Sequence, residues 1–275
     1  MPGRLTVCPT PIGNLADLSP RGRRALGDAD LVACEDTRRA GLLFDRLEIA
    51  RPRLVSYHEG NEAERADALA QQVERGTRVA LISEAGTPVI SDPGFRLIRA
   101  CIERDLEVEV LPGPSAVITA LVASGLPADR WRFEGFLPRR AGELERVLRS
   151  AETVVAFESP RRLPQSLAAL ASLAPNRPAV VCRELTKLHE EVARAPLGEL
   201  ARRFRDDVKG EIVLVIGPAR SREGEGPDLV FAVDALRRLV QSGARPRAAA
   251  SVVGALTGTR PNDLYRALTG RDPRE

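Results

Sequence analysis

Lysine is nearly absent from this chain of 275 residues: Lys187 and Lys209 stand against 39 arginines. Such a replacement throughout the chain points to a coding bias, so no arginine pair carries meaning by its type alone. Histidine is equally scarce, with only His58 and His189, so neither an H-E-x-x-H pair nor a Cys/His cluster of the zinc kind exists and no metal site is expected. The four cysteines, Cys8, Cys34, Cys101 and Cys182, lie far apart inside apolar runs without C-x-x-C spacing. They read as small buried hydrophobes of a reduced, cytoplasmic protein. No apolar run approaches the span of a bilayer, and "MPGRLTVCPTPIG" holds no long apolar segment of the signal type. A soluble chain that is neither exported nor membrane-bound is expected.

The standard fingerprints are missing too. No G-x-G-x-x-G follows a strand, there is no G-x-x-x-x-G-K-[ST], and in "GPSAV" Val117 stands where a nucleophile elbow needs glycine. An obvious Rossmann oxidoreductase, P-loop NTPase or serine hydrolase is thereby excluded.

Apolar residues make up 43% of the chain, enough for an ordinary buried core. Net charge is +3 and unevenly spread: residues 229–275 carry eight arginines against four acids, net +4, after the Gly/Glu/Pro-rich stretch Ala219 to Asp228. Cationic side chains that displace counterions supply non-specific affinity for nucleic acid, so the basic tail suits a polyanionic partner.

Short Val/Ile/Leu runs, "RLTVC", "DLVAC", "RLVSY", "RVALI" and "LEVEVL", alternate with segments of helical spacing. In "NEAERADALAQQVERG", Ala66, Leu69, Ala70 and Val73 recur at helical intervals, Asn61 and Glu64 suggest a capping box, and Gly76 marks the end. Ser19 before Pro20 is another helix start. This alternation predicts an α/β fold with a largely parallel sheet and ligands outside the carboxyl ends of its strands. After "LPADRWRFEGFLPRR" the rhythm changes, and "PAVVCREL" and "HEEVARAPL" are joined too tightly for a crossover helix, so an antiparallel pair is expected. The expected organisation is an α/β domain over 1–125, a second α/β domain with a mixed sheet over 126–218, a linker over 219–228 and a helical, helix-turn-helix-like tail over 229–275, with a cleft between the first two. For the tail, a plain helical cap or a dimerisation arm is the alternative.

Three small-residue loops, "CPTPIGNLAD", "SEAGTPVISDPG" and "PGPSA", follow strands of the first half and should converge at one sheet edge. Their backbone groups suit a flat polar body such as adenosine. The carboxylates among them favour a cationic ligand, a sulfonium or an amine, over a triphosphate. These loops supply the candidate cofactor residues Pro11, Ile12, Gly13, Ser83, Glu84, Ala85, Gly86, Thr87, Pro88, Ser115 and Ala116.

In order along nearly the whole chain, "PTPIGNLADLSPRG", "CEDTRRAGLL", "HEGNE", "SEAGTPVISDPG", "LPGPSAVITALVASGLP", "FEGFLP", "FESPRRL", "CRELTKLHEE" and "KGEIVLVIG" resemble the small-subunit ribosomal RNA methyltransferase I family. The resemblance implies a two-domain tetrapyrrole-methylase fold, S-adenosylmethionine bound between the domains, and 2'-O-methylation of a cytidine ribose in the decoding region of 16S rRNA on the 30S subunit. It also implies a homodimer. Relatives acting on corrins carry a "GxGPGDP" first loop; Pro9 to Asn14 here favours the RNA branch. One departure is Glu84, where the family commonly has Asp.

For methyl transfer by in-line displacement, alignment and exclusion of water are the main tools, with a base to take one proton. Asp36 is the first candidate for catalysis, with Glu84 beside it; capping a helix is the alternative role for Asp36. His58 reads as a structural partner. Through the resemblance Glu158, Arg183, Glu184 and Lys187 face the cleft, Glu158 toward the cofactor, or else they form an ion-paired strand rim. Arg38, Arg139, Arg140, Arg161, Arg162 and Lys187 are the candidate contacts to RNA. Other readings of the same sequence are a methylase of this fold acting on a tetrapyrrole or a protein side chain, and a non-catalytic RNA-binding assembly factor.

Overall fold

The structure, a computed structural model, describes residues 3–206, 208–219 and 229–269. The chain divides into two compact units, Met1–Ala219 and Arg220–Glu275. In the first, strands β1 (Arg4–Val7), β2 (Leu31–Cys34), β3 (Arg53–Ser56), β4 (Arg78–Leu81) and β5 (Glu107–Val110) alternate with helices α1 (Pro20–Asp28), α2 (Thr37–Arg46), α3 (Glu62–Glu74), α4 (Phe95–Glu103) and α5 (Ala116–Ser124). The strands pair in parallel in the order β3-β2-β4-β1-β5. Every residue of β2 is buried, as a central parallel strand covered on both faces requires.

Local chemistry sets the helix starts. The Ser19 hydroxyl accepts from Gly22 N at 3.0 Å, with Pro20 at the first position of α1. Asp36 caps α2 in the same way. The capping box expected at Asn61 does not form: its Oδ1 accepts from His58 N at 2.9 Å and its Nδ2 donates to Ser56 O at 3.3 Å. Asn61 thus closes the tight turn leading out of β3, and this local bond displaces the cap.

The second half of this unit contains β6 (Trp131–Phe136), α6 (Ala141–Leu148), β7 (Thr153–Glu158), α7 (Leu163–Leu173), β8 (Pro178–Arg183), β9 (Glu191–Pro196), α8 (Leu197–Arg203) and β10 (Ile212–Ile216). Its sheet order is β6-β7-β10-β8-β9, mixed, with β6–β7 the parallel pair and β8–β9 antiparallel as the short link demands. Leu144, Leu167 and Leu197 from α6, α7 and α8 cover one face. The other face, Val155, Val180, Cys182, Val213 and Val215, packs against Val117, Ala120 and Leu121 of α5 and against Ile12 from the loop after β1. Ile12 is 5% exposed, and burial of such a side chain stabilises by roughly 1.5–3 kcal/mol. That one contact anchors the first loop on the second sheet.

The second unit holds α9 (Leu229–Gln241), α10 (Pro246–Thr257) and α11 (Pro261–Thr269) around Ala232, Leu236, Ala249, Ala250, Val253 and Leu264. Gly258, left-handed at φ 71°, ends α10 and opens the turn into α11. Most of the expected linker, 220–228, and the end of the tail, 270–275, lie outside the described residues. Among those described, no helix is long and apolar enough to cross a membrane, and no group of three or more His, Cys, Asp or Glu is arranged to hold a metal.

Candidate functional site

The loops after β1, β4 and β5 are stitched together by their own backbones. Thr10 and Gly86 exchange two N–H···O bonds of 2.9 Å, the Thr10 hydroxyl donates to Ser83 O at 3.1 Å, and the Thr87 hydroxyl donates to Pro114 O at 3.0 Å. The Ser83 hydroxyl turns inward to donate to Gly86 O at 3.0 Å, and the Ser115 hydroxyl caps α5. The side-chain donors therefore shape the loops. The loop after β4 also stores strain: Val89 and Ser91 lie at φ 77° and 67°, a region that costs a β-branched residue of order 1–3 kcal/mol.

Beside these loops lies a cavity of about 380 Å³, the size of a small-ligand site. Pro11–Gly13, Cys34–Asp36 and Ser83–Ala85 line it at the carboxyl ends of β1, β2 and β4, three strands that neighbour one another in the sheet. Arg39 and Arg46 of α2 close one side, and Lys187 and Glu211 of the second half close another. Gly13 lies so near the Leu185–Lys187 loop that a Cβ there would fall 2.5 Å from Lys187 Cγ, and Asn14 N donates to Thr186 Oγ1 at 3.1 Å.

The carboxylates differ sharply in their surroundings. Asp36 Oδ1 accepts from Arg38 N at 2.8 Å and Arg39 N at 3.4 Å, and its two oxygens receive the Arg38 guanidinium at 3.2 and 2.7 Å. Those bonds hold its pKa well below the usual carboxylate range. Glu84 is ion-paired with Arg39. Burial, reinforced by the charge of Glu84, raises Glu35, against the opposing influence of His58 and Arg39. Asp92, on the loop after β4, is pushed up to about 6 by burial and by the charges of Glu35 and Glu84.

Of the sequence-predicted residues, Pro11, Ile12, Gly13, Asp36, Ser83, Glu84, Ala85 and Lys187 come together around this cavity. Gly86, Thr87, Pro88, Ser115 and Ala116 sit outside its lining, where the β4 and β5 loops meet through the Thr87–Pro114 bond. Glu158 is not brought there. It is 3% exposed and accepts from Ser159 N and Ser166 Oγ, each at 2.6 Å, with Arg162 at 3.3 Å. Strand alternation explains this, because Phe157 points to the α5 side and Glu158 to the α7 side. Arg162 is occupied by Glu158 and by Leu137 O at 2.8 Å, and Lys187 by Glu184 at 2.9 Å and Glu211 at 3.2 Å. Arg38 is the partner of Asp36, whereas Arg139, Arg140 and Arg161 are exposed and have no carboxylate partner among the described residues. Sequence reasoning passed over Glu35, Arg39, Arg46 and Glu211; the available signal for Glu35 was its place between the last residue of a strand and a helix-capping aspartate.

Parallel-sheet loops closed by a second, mixed-sheet half define the class. The pattern of the tetrapyrrole (corrin/porphyrin) methylases matches residues 4–201. The uroporphyrin-III C-methyltransferase of Thermus thermophilus, solved in complex with S-adenyl homocysteine, shares the fold with a TM-score of 0.55 at 21% identity, over 78% of this chain and 97% of that one. Within the class the similarity is closer to proteins named ribosomal RNA small subunit methyltransferase I. That of Mycobacterium bovis is 46% identical over 273 residues, 97% of this chain and 94% of its own. That of Escherichia coli O157:H7 is 41% identical over 274 residues, 96% of this chain and 94% of its own. The chain belongs to this ribosomal RNA small subunit methyltransferase I family of tetrapyrrole methylases.

Proposed function

We propose that the protein transfers a methyl group from S-adenosylmethionine to the 2'-hydroxyl of a cytidine ribose in the decoding region of 16S rRNA, acting on the 30S subunit in the cytoplasm as a homodimer. The near full-length likeness to proteins named ribosomal RNA small subunit methyltransferase I carries this reading. The solved relative bound to S-adenyl homocysteine supports the cofactor.

The residues present fit such a cofactor. A cavity of about 380 Å³ whose walls carry four carboxylates, Glu35, Asp36, Glu84 and Glu211, against the three cations Arg39, Arg46 and Lys187 keeps a net negative charge that suits a sulfonium, and Pro11–Gly13 and Ser83–Ala85 would hold its adenosine by backbone groups. When bound, S-adenosylmethionine supplies a methyl group on an electrophilic sulfonium. The loops align the acceptor oxygen, and Ile12 and the Leu185–Lys187 loop keep water from the second-half side. Exposed Arg139, Arg140 and Arg161 take RNA phosphates, and the basic tail adds non-specific affinity. Ile118, Val122, Val110 and Phe136, all exposed apolar side chains, supply surface for a second copy.

Incubation with labelled S-adenosylmethionine tests the reading against unmodified 30S subunits, free 16S rRNA and total protein. Label on a ribose of 16S rRNA, strongest with 30S subunits, is expected. Label confined to protein or small molecules overturns the rRNA substrate, and label on a base overturns the acceptor oxygen.

A further inference from the structure

We propose that Glu35 is the catalytic carboxylate that takes the proton from the acceptor hydroxyl, a role that rests on the methyl-transfer reading above. Four carboxylates line the cavity, and the partners of three are already fixed. Asp36 accepts from two α2 N–H groups and binds the Arg38 guanidinium through both oxygens, Glu84 is paired with Arg39, and Glu211 is paired with Lys187. The Glu35 carboxylate accepts no hydrogen bond and forms no ion pair among the described residues, although it lines the same cavity. A general base needs an open lone pair within reach of the proton it removes, and of the four only Glu35 has both carboxylate oxygens open and no ion-pair partner among the described residues.

Its main chain is held on both sides. Glu35 follows the fully buried β2, its carbonyl accepts from Ser56 Oγ at 3.4 Å, the preceding carbonyl accepts from Tyr57 N at 2.7 Å, and the next residue caps α2. A carboxylate mounted on a strand end in this way keeps its geometry better than one on a free loop. The groups facing it are Glu84 and Asp92 from the β4 loop, His58 from the β3 loop and Arg39 from α2. Burial and the charge of Glu84 make it a stronger base than an ordinary carboxylate, against the opposing influence of His58 and Arg39. Asp92 does not line the cavity.

In the step itself, Glu35 receives the O–H proton as the acceptor oxygen forms its bond to the methyl carbon. The carbon–sulfur bond breaks with its electron pair left on sulfur. One carboxylate charge and one sulfonium charge both disappear, leaving a neutral acid and a neutral thioether. A half-buried site favours that mutual neutralisation, since low polarity penalises the separated charges at the start more than the neutral products.

Glu35→Gln and Glu35→Asp in the full chain test this with 30S subunits, by single-turnover rate against pH and by calorimetric S-adenosylmethionine affinity. Glu35→Gln should lower the rate roughly 10²–10⁴-fold with cofactor affinity lowered by no more than about tenfold, since the sulfonium loses one of several nearby carboxylate charges, and should abolish the fall in rate on the acid side; Glu35→Asp should restore part of the rate and of the acid limb. A Glu35→Gln rate within about threefold of the parent, or an unchanged acid limb, overturns the role. Loss of cofactor binding in Glu35→Gln also overturns it, in favour of a binding residue. Absence of ribose methylation by the parent chain is a different result: it overturns the substrate reading, and the proton transfer falls with it.

Discussion

A carboxylate's neighbours decide what it does, and residues 35 and 36 demonstrate this across one peptide bond. Asp36 is held by α2 and Arg38 through both oxygens, so its acid is strong. Glu35 has no such partner and is raised by burial. Glu84 spends its longer side chain on Arg39, a pair whose side chains are 32% and 66% exposed and which so contributes little to stability. Asp92 is the costly one. Folded, it titrates at about 6 rather than near 3.8, because burial and the charges of Glu35 and Glu84 oppose its ionisation. Between those values the unfolded chain has lost a proton that the folded chain keeps, so this group's contribution to stability falls as pH rises and its cost is full above about 6. Asp92→Asn is therefore expected to stabilise the protein at pH 7.5 by roughly 1–3 kcal/mol, with the gain gone at pH 3.5, as thermal melts at the two pH values would show.

At the scale of elements, the site depends on how closely loops approach. Gly13 is required because a methyl group there would lie 2.5 Å from Lys187 Cγ, 2.6 Å from Thr186 Oγ1 and 3.0 Å from Leu185 O. The facing loop has little room to yield, since Glu184 and Thr186 are already at φ 52° and 65°. Gly13→Ala should destabilise by roughly 1–3 kcal/mol in denaturant melts and weaken S-adenosylmethionine binding about tenfold by calorimetry, because it pushes the first loop off the second sheet. Strand parity works in the same way on β7. One residue's shift places Glu158 with Ser166 on the α7 face instead of in the cleft.

At the scale of the whole molecule, the tail is a compact unit with its own core. Tyr265 is partly buried against that core with the Arg247 guanidinium 5.7 Å from its ring centroid, so its ring serves packing. Arg245, Arg247 and Arg266 belong to the same unit and are all exposed. Removing residues 229–275 should weaken binding to 30S subunits and flatten its salt dependence, by a slope of roughly 0.9 for each phosphate the tail neutralises, while cofactor affinity stays unchanged. Filter binding at several salt concentrations measures the first and calorimetry the second.

The five parallel strands, the antiparallel pair and the caps at Ser19 and Asp36 were legible in the sequence, because periodicity, β-branched runs and capping side chains act over a few residues. So were the three small-residue loops and, through their order along the chain, the family. The capping box at Asn61 was misread because the turn before it took the side chain first. Which carboxylate stands unpaired was not legible at all: Asp36 and Glu35 are neighbours in the chain, and only the folded positions of Arg38, Arg39 and Glu84 separate them. The sequence by itself determined the elements and where their loops fall, since those are local matters. The tertiary structure decided which loop residues face one cavity and which acid is free to act, because contacts between residues far apart in the chain set burial, pairing and the ease of holding a charge.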